Sequence, residues 1–106
     1  METNERLRAI VKEAMSRVKA KYKEILMSME FGVYYSPENY FVSYIFHTDK
    51  QLEEAINSGL TAEINQYHKS LLGKNGYPVE GIKDCSFDSQ ETCDRENGGN
   101  WYYYFK

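Results

Sequence analysis

Tyr40-Phe41-Val42-Ser43-Tyr44-Ile45-Phe46-His47, followed at once by Thr48-Asp49-Lys50-Gln51, is the stretch that decides how this chain folds. Its first part is β-branched or aromatic at most positions, the composition of a strand. It is apolar on both faces, which places the strand centrally with cover on both sides. The next four residues fit a capping box, with the Thr48 hydroxyl accepting from the third amide and Gln51 reaching back. The chain therefore passes from strand to helix at His47–Asp49.

Upstream, Ser36-Pro37-Glu38-Asn39 reads as a turn. Phe31, Val33 and Tyr35 alternate before it, so 31–47 reads as a β-hairpin with a four-residue loop. Residues 4–29 read as one long amphipathic helix capped by Thr3 or Asn4. Leu7, Ile10, Val11, Ala14, Val18, Ile25, Leu26 and Met29 recur at spacings of three and four, with Tyr22 on the same stripe.

Downstream, Leu52, Ala55 and Ile56 share a stripe that Gly59 ends or bends. The stripe resumes at Leu60, Ile64, Tyr67, Leu71 and Leu72, a second helix over about 61–72, and Gly73, Gly76 and Pro78 stop it. Ile82–Phe87 reads as a third strand, running on towards Thr92. Asn97-Gly98-Gly99-Asn100 reads as a loop and Trp101–Phe105 as a fourth strand. The order α-β-β-α-α-β-β predicts a single α+β domain over residues 1–106. Its sheet is four-stranded and mostly antiparallel, built of two hairpins, with a long N-terminal helix and a broken middle helix. The expected core comprises Leu7, Ile10, Val11, Val18, Ile25, Phe31, Val33, Leu52, Ile56, Ile64, Leu71, Phe87 and Trp101.

Composition narrows the function. The 106 residues include 10 Tyr, 5 Phe and 1 Trp, and the formal net charge is −3. Residues 1–30 carry 7 Lys/Arg against 5 Asp/Glu, and the remainder 6 against 11. That balance argues against nucleic-acid binding, which needs a basic surface. Arg8, Lys12, Lys19 and Lys23, interleaved with Glu5, Glu13 and Glu24, read as a solvated helix face. Met1-Glu2-Thr3-Asn4-Glu5-Arg6 has the charge but not the apolar run of an export signal. No stretch approaches the ~20 apolar residues of a membrane span. A cytoplasmic protein with reduced thiols and no membrane partner is expected.

Catalytic motifs are missing: there is no nucleophile elbow, P-loop or dinucleotide fingerprint. His47 at a strand end and His68 on the side of its helix away from Ile64 and Leu71 read as surface residues. Cys85 reads as a buried strand residue and Cys93 as an exposed thiol. In an extended strand the two would lie about 26 Å apart, too far to bond. Their spacing matches no zinc pattern, and Asp94–Gly98 is a poor calcium loop. No enzyme activity, cofactor or metal is expected.

Two features stand out. Asp84, Asp88, Glu91, Asp94 and Glu96 crowd the expected third strand and its loop, and Tyr102 and Tyr104 occupy one face of the fourth. Clustered carboxylates steer a basic partner and exposed tyrosines anchor one, so these seven residues form the expected partner surface. The alternatives are a solvated strand edge and a fully covered sheet.

Across its length the chain resembles the small immunity proteins encoded beside bacterial contact-dependent and polymorphic toxins. The likeness rests on size, acidic balance and aromatic-rich α+β order. The stretches that carry it are Tyr44-Ile45-Phe46-His47-Thr48-Asp49, Ser58-Gly59-Leu60-Thr61 and Gly98-Gly99-Asn100-Trp101-Tyr102-Tyr103-Tyr104-Phe105. The resemblance implies a protein-binding module that neutralises a basic toxin domain; it carries over no site residue. Two rivals remain: a self-associating structural or regulatory protein with a tyrosine-rich homodimer interface, and a small ligand-binding protein or enzyme. The second would place a pocket between sheet and middle helix, lined by His47, Asp49 or His68.

Overall fold

The computed structural model describes residues 2–31, 41–78 and 82–100. Among these the chain forms α1 (Glu2–Lys21), β1 (Ile25–Phe31), β2 (Phe41–Phe46), α2 (Asp49–Ser58), α3 (Leu60–Lys74), β3 (Ser86–Ser89) and α4 (Gln90–Asn97). The three strands form one sheet in the order β1-β2-β3. β1 runs antiparallel to β2, with Phe31 opposite Phe41 and Ile25 opposite Phe46. β3 runs parallel to β2, with Ser43 opposite Ser86 and Phe46 opposite Ser89. A parallel neighbour needs a long crossover, and α2 and α3 lie in it.

This is an α+β fold, but not the mostly antiparallel sheet of two hairpins that the sequence pattern suggests: among the described residues the sheet is three-stranded and mixed, with β3 parallel to β2. Three local outcomes account for the difference. The first helix ends at Lys21 and not at Met29. The Tyr22 amide still donates to the Val18 carbonyl, a turn follows at Lys23–Glu24, and the Ile25 amide donates to the Tyr22 carbonyl. Ile25, Leu26 and Met29 then belong to β1, where Ile25 and Met29 pair with β2 and Leu26 falls at a bulge between Ile25 and Met27. The third strand is only Ser86–Ser89, and it joins the sheet in parallel. Where a strand and acidic loop are expected, Ser89 caps a helix: its hydroxyl accepts from the Thr92 amide at 3.1 Å, and Gly98 closes that helix at φ 59°. The Ser36–Asn39 turn, Val33, Tyr35 and the Trp101–Phe105 strand lie outside the described residues.

The centre of the fold follows the sequence closely. β2 is buried along Val42–Phe46. Alternation sends Val42, Tyr44 and Phe46 into one core with Leu7, Val11, Ala14 and Val18 of α1 and Ile64 and Leu72 of α3. Ser43 and Ile45, which point to the other side, are equally inaccessible. The capping box at Thr48 is complete, with the Gln51 amide 3.1 Å from the Thr48 hydroxyl and the Thr48 amide 3.2 Å from the Gln51 side-chain oxygen. Gly59, at φ 85°, ends α2 and starts α3, a conformation costly for residues with a Cβ.

Of the expected core residues, Leu7, Ile10, Val11, Val18, Ile25 and Ile64 are buried, and Leu52, Leu71 and Phe87 pack partly buried against them. Ile56 is the exception at 55% exposed, because α2 turns Ala55 inward. The burial of Phe31, Val33 and Trp101 lies outside the described residues.

Candidate functional site

The carboxylates of the expected partner surface are spread over three structural settings and are engaged within the chain. Asp84, in the segment before β3, accepts from Lys69 at 2.9 Å and Asn65 at 3.1 Å, contacts that lower its pKa. Asp88 is half-buried in β3 opposite Ile45 and is also partnered. Glu91 accepts from the Asp49 backbone amide at 2.9 Å, Asp94 from the Gln90 side chain at 2.9 Å, and Glu96 lies 3.7 Å from Arg95. These last three sit on α4, where 3.6 residues per turn point Glu96 about 140° away from Glu91. They therefore do not line one strand edge. Tyr102 and Tyr104 lie outside the described residues.

Asp49 is the hub of this region, a role the sequence does not advertise. One carboxylate oxygen accepts from both the Ser89 and Thr92 hydroxyls, and the other accepts from Arg95 at 2.8 Å. These bonds, led by the Ser89 hydroxyl, hold the Asp49 carboxyl down at about 2. The Glu91 amide adds a bond to the His47 carbonyl at 3.2 Å. Together they clamp the start of α4 onto the start of α2. Asp49 favours this position twice over, since a carboxylate in a first helical turn also complements the helix dipole.

His68 is not the surface residue expected above: spacings of four put it on the same helical row as Ile64 and Leu72. It is 2% exposed, between Ile64 and Leu72 on the buried side of α3, and its Nδ1 lies 2.9 Å from the Tyr44 hydroxyl. Burial drives the imidazole pKa down to about 4 and pushes the Tyr44 hydroxyl well above its ordinary value. The phenol therefore stays protonated; where it donates to Nδ1, the neutral ring carries its proton on Nε2, and in the other tautomer Nδ1–H donates to the hydroxyl oxygen. Phe87 stacks on Tyr44 at 6.3 Å between centroids. Cys85, whose thiol burial lifts to about 12, is near enough to raise Tyr44 further. At neutral pH the imidazole is neutral and the thiol is not a thiolate, so the cluster presents no activated nucleophile. Cys93 is fully buried and not the exposed thiol its polar surroundings suggest; both cysteines are free.

The candidate binding site is a groove of about 380 Å³ between α2, the end of β2 and the α1–β1 turn. That is near the lower end of the ~300–1,000 Å³ usual for ligand sites. Phe46, Ala55 and Leu60 give it an apolar wall, and Glu24, Gln51, Glu54 and Ser58 give it a polar rim. Positions 51, 54, 55 and 58 follow helical spacing, so one face of α2 forms a whole side. The groove lies between sheet and middle helix, as one rival reading requires, but none of His47, Asp49 and His68 lines it. Nearby, Glu63 is committed to the Tyr22 hydroxyl at 2.8 Å, which together with burial lifts that tyrosine to about 12. Among the described residues Glu24 and Glu54 are in no ion pair.

Among the described residues no three His, Cys, Asp or Glu side chains gather as a metal site, and no helix is long and apolar enough to cross a membrane. No known protein family, curated protein or solved structure matches the chain.

Proposed function

We propose that this chain is a protein-binding module that neutralises a basic toxin domain in the cytoplasm, as the immunity proteins it resembles do. The observation that carries the reading is the α2 groove. Two carboxylates from separate elements, Glu24 and Glu54, border an apolar wall, with no cation in the lining among the described residues. Such a site is complementary to a positive group that brings its own hydrocarbon stem. The exposed carboxylates of α4 and the β3 approach are held by internal partners and add to the negative field that steers encounter. Inhibition would be steric and electrostatic, with no chemistry performed by the chain.

Co-expression with a toxin domain encoded beside this chain tests the proposal. The expected result is restored growth, a one-to-one complex, and an association rate that falls as salt rises. Absence of protection and of a complex would overturn it. Solution mass separates this reading from self-association, since a homodimer that buries the groove would leave no site for a toxin.

A further inference from the structure

We propose that the α2 groove is a socket for one arginine side chain of the partner protein. The inference rests on the reading of the chain as a protein binder and adds the chemistry of what enters. The rim is rich in acceptors: Glu24 and Glu54 contribute carboxylates, and the Ser58 hydroxyl spends its proton on the Ala55 carbonyl at 3.2 Å, leaving oxygen lone pairs to offer. A guanidinium is the matching group, with five N–H donors and no acceptor. It is planar and weakly hydrated, so it loses less on entering a half-apolar groove than an ammonium does. Phe46, Ala55 and Leu60 suit its methylene stem.

Among the described residues no cation of the chain forms an ion pair with Glu24 or Glu54. Lys21 is held 4.4 Å over the Tyr67 ring, and Lys50, one turn before Glu54, is in no ion pair among the described residues. The socket is also preorganised. The capping box fixes the start of α2, and the Gly59 left-handed turn fixes its end. Binding an arginine therefore orders little that is not already ordered.

The test uses the whole chain, isotope-labelled, titrated with Nα-acetyl-arginine methylamide and followed by amide chemical shifts. Lysine and citrulline methylamides serve as comparisons. Saturable shifts at Glu24 and along Gln51–Ser58 are expected with arginine, weaker binding with lysine and none with citrulline, which has the same shape without the charge. Glu54→Gln and Glu24→Gln should each weaken arginine binding about tenfold, the size expected for a lost charge-assisted hydrogen bond. Glu53→Gln, off the groove, should change nothing. No saturable shift, or citrulline binding as well as arginine, overturns the socket. The two proposals fail separately. A chain that protects against the toxin with association and dissociation unaffected by Glu54→Gln has no arginine socket. A chain that binds the arginine amide with the expected selectivity but protects against no toxin keeps the socket and loses the immunity role.

Discussion

The Tyr44 hydroxyl meets His68 Nδ1 at 2.9 Å, and this hydrogen bond ties the middle strand of the sheet to α3 across the core. Both residues are buried, so neither can exchange its partner for bulk water. A buried pair of this kind makes the fold sensitive to protonation of one member.

The pH dependence follows from the imidazole. Its pKa falls from 6.5 in the unfolded chain to about 4 in the fold, so the unfolded state binds the extra proton first. Stability is full above pH 6.5, declines as pH falls towards about 4, and loses roughly 3 kcal/mol over that window at ~1.4 kcal/mol per pH unit. Urea denaturation of the wild type and of His68→Phe across this range measures it. A decline of equal size in both proteins would assign the acid sensitivity to another group. Tyr44→Phe, which removes the partner of a buried ring nitrogen, should cost ~1–3 kcal/mol at neutral pH.

The Asp49 clamp responds in a different window. Its folded pKa is depressed to about 2 from 3.8, so its contribution is complete above pH 3.8 and is lost as pH falls through 2. Asp49→Asn should release the start of α4 without disturbing the main core. Hydrogen exchange should quicken for residues 90–97 and stay unchanged for α1 and α3. Equal protection of α4 in the variant would mean that packing of the buried Cys93, and not the clamp, holds the helix.

Gly59 isolates a backbone cost. It sits at φ 85° with no atom within 4 Å of where a Cβ would stand, so an added methyl meets no obstacle. Gly59→Ala should still lower stability by ~1–2 kcal/mol, the cost of the left-handed conformation for a residue with a Cβ. Gly59→Asn should cost less, since asparagine tolerates that region. Denaturant midpoints of the two variants give the comparison. Equal stability of Gly59→Ala and wild type would show that the α2–α3 joint can relax.

What was legible in the sequence was local. β2 announces itself by unbroken β-branched and aromatic composition, and the Thr48 box and Gly59 are read from side-chain chemistry alone. The end of α1 was not legible: Ile25 and Met29 satisfy both a helical and an alternating pattern, and no Gly or Pro lies at 22–24. Pairing with β2 decides between the two periods, and that is a tertiary effect. α4 lacks an apolar stripe, with Cys93 its buried residue, and Asp49 far up the chain holds it. His68 was within reach, because positions 64, 68 and 72 form one buried row. The groove was not, since Glu24, Phe46 and Glu54 belong to elements whose meeting no spacing rule describes.

The thiols provide a test of packing. Cys93 is fully buried and Cys85 half-buried, and burial raises both thiol pKa values, to about 12 for Cys85. Alkylation at neutral pH should therefore be slow in the folded chain and rapid in denaturant, where both thiols regain ordinary acidity. Mass-resolved labelling over time gives the rates. Rapid modification of Cys93 under native conditions would show that α4 opens locally.

Ile56 separates folding from binding. It follows the inward-facing Ala55 on α2, yet it is 55% exposed, so the apolar spacing that suggests a core position does not describe its environment. Replacing it with a polar residue removes little buried surface, and Ile56→Ser should change stability by no more than ~0.5 kcal/mol. Ile64→Ala, on the fully buried row of α3, should cost ~2–5 kcal/mol. If α2 is the face that meets a toxin domain, Ile56 becomes an apolar contact beside the charged groove. Ile56→Ser should then speed dissociation and leave the association rate nearly unchanged, because apolar contacts govern residence and charges govern encounter. Charge reversal at Glu54 should do the opposite at low salt, slowing association first. Denaturation curves and binding kinetics of the two variants, measured side by side, distinguish these roles. An Ile56→Ser protein that folds normally and dissociates at the wild-type rate would place the toxin contact on a face other than α2.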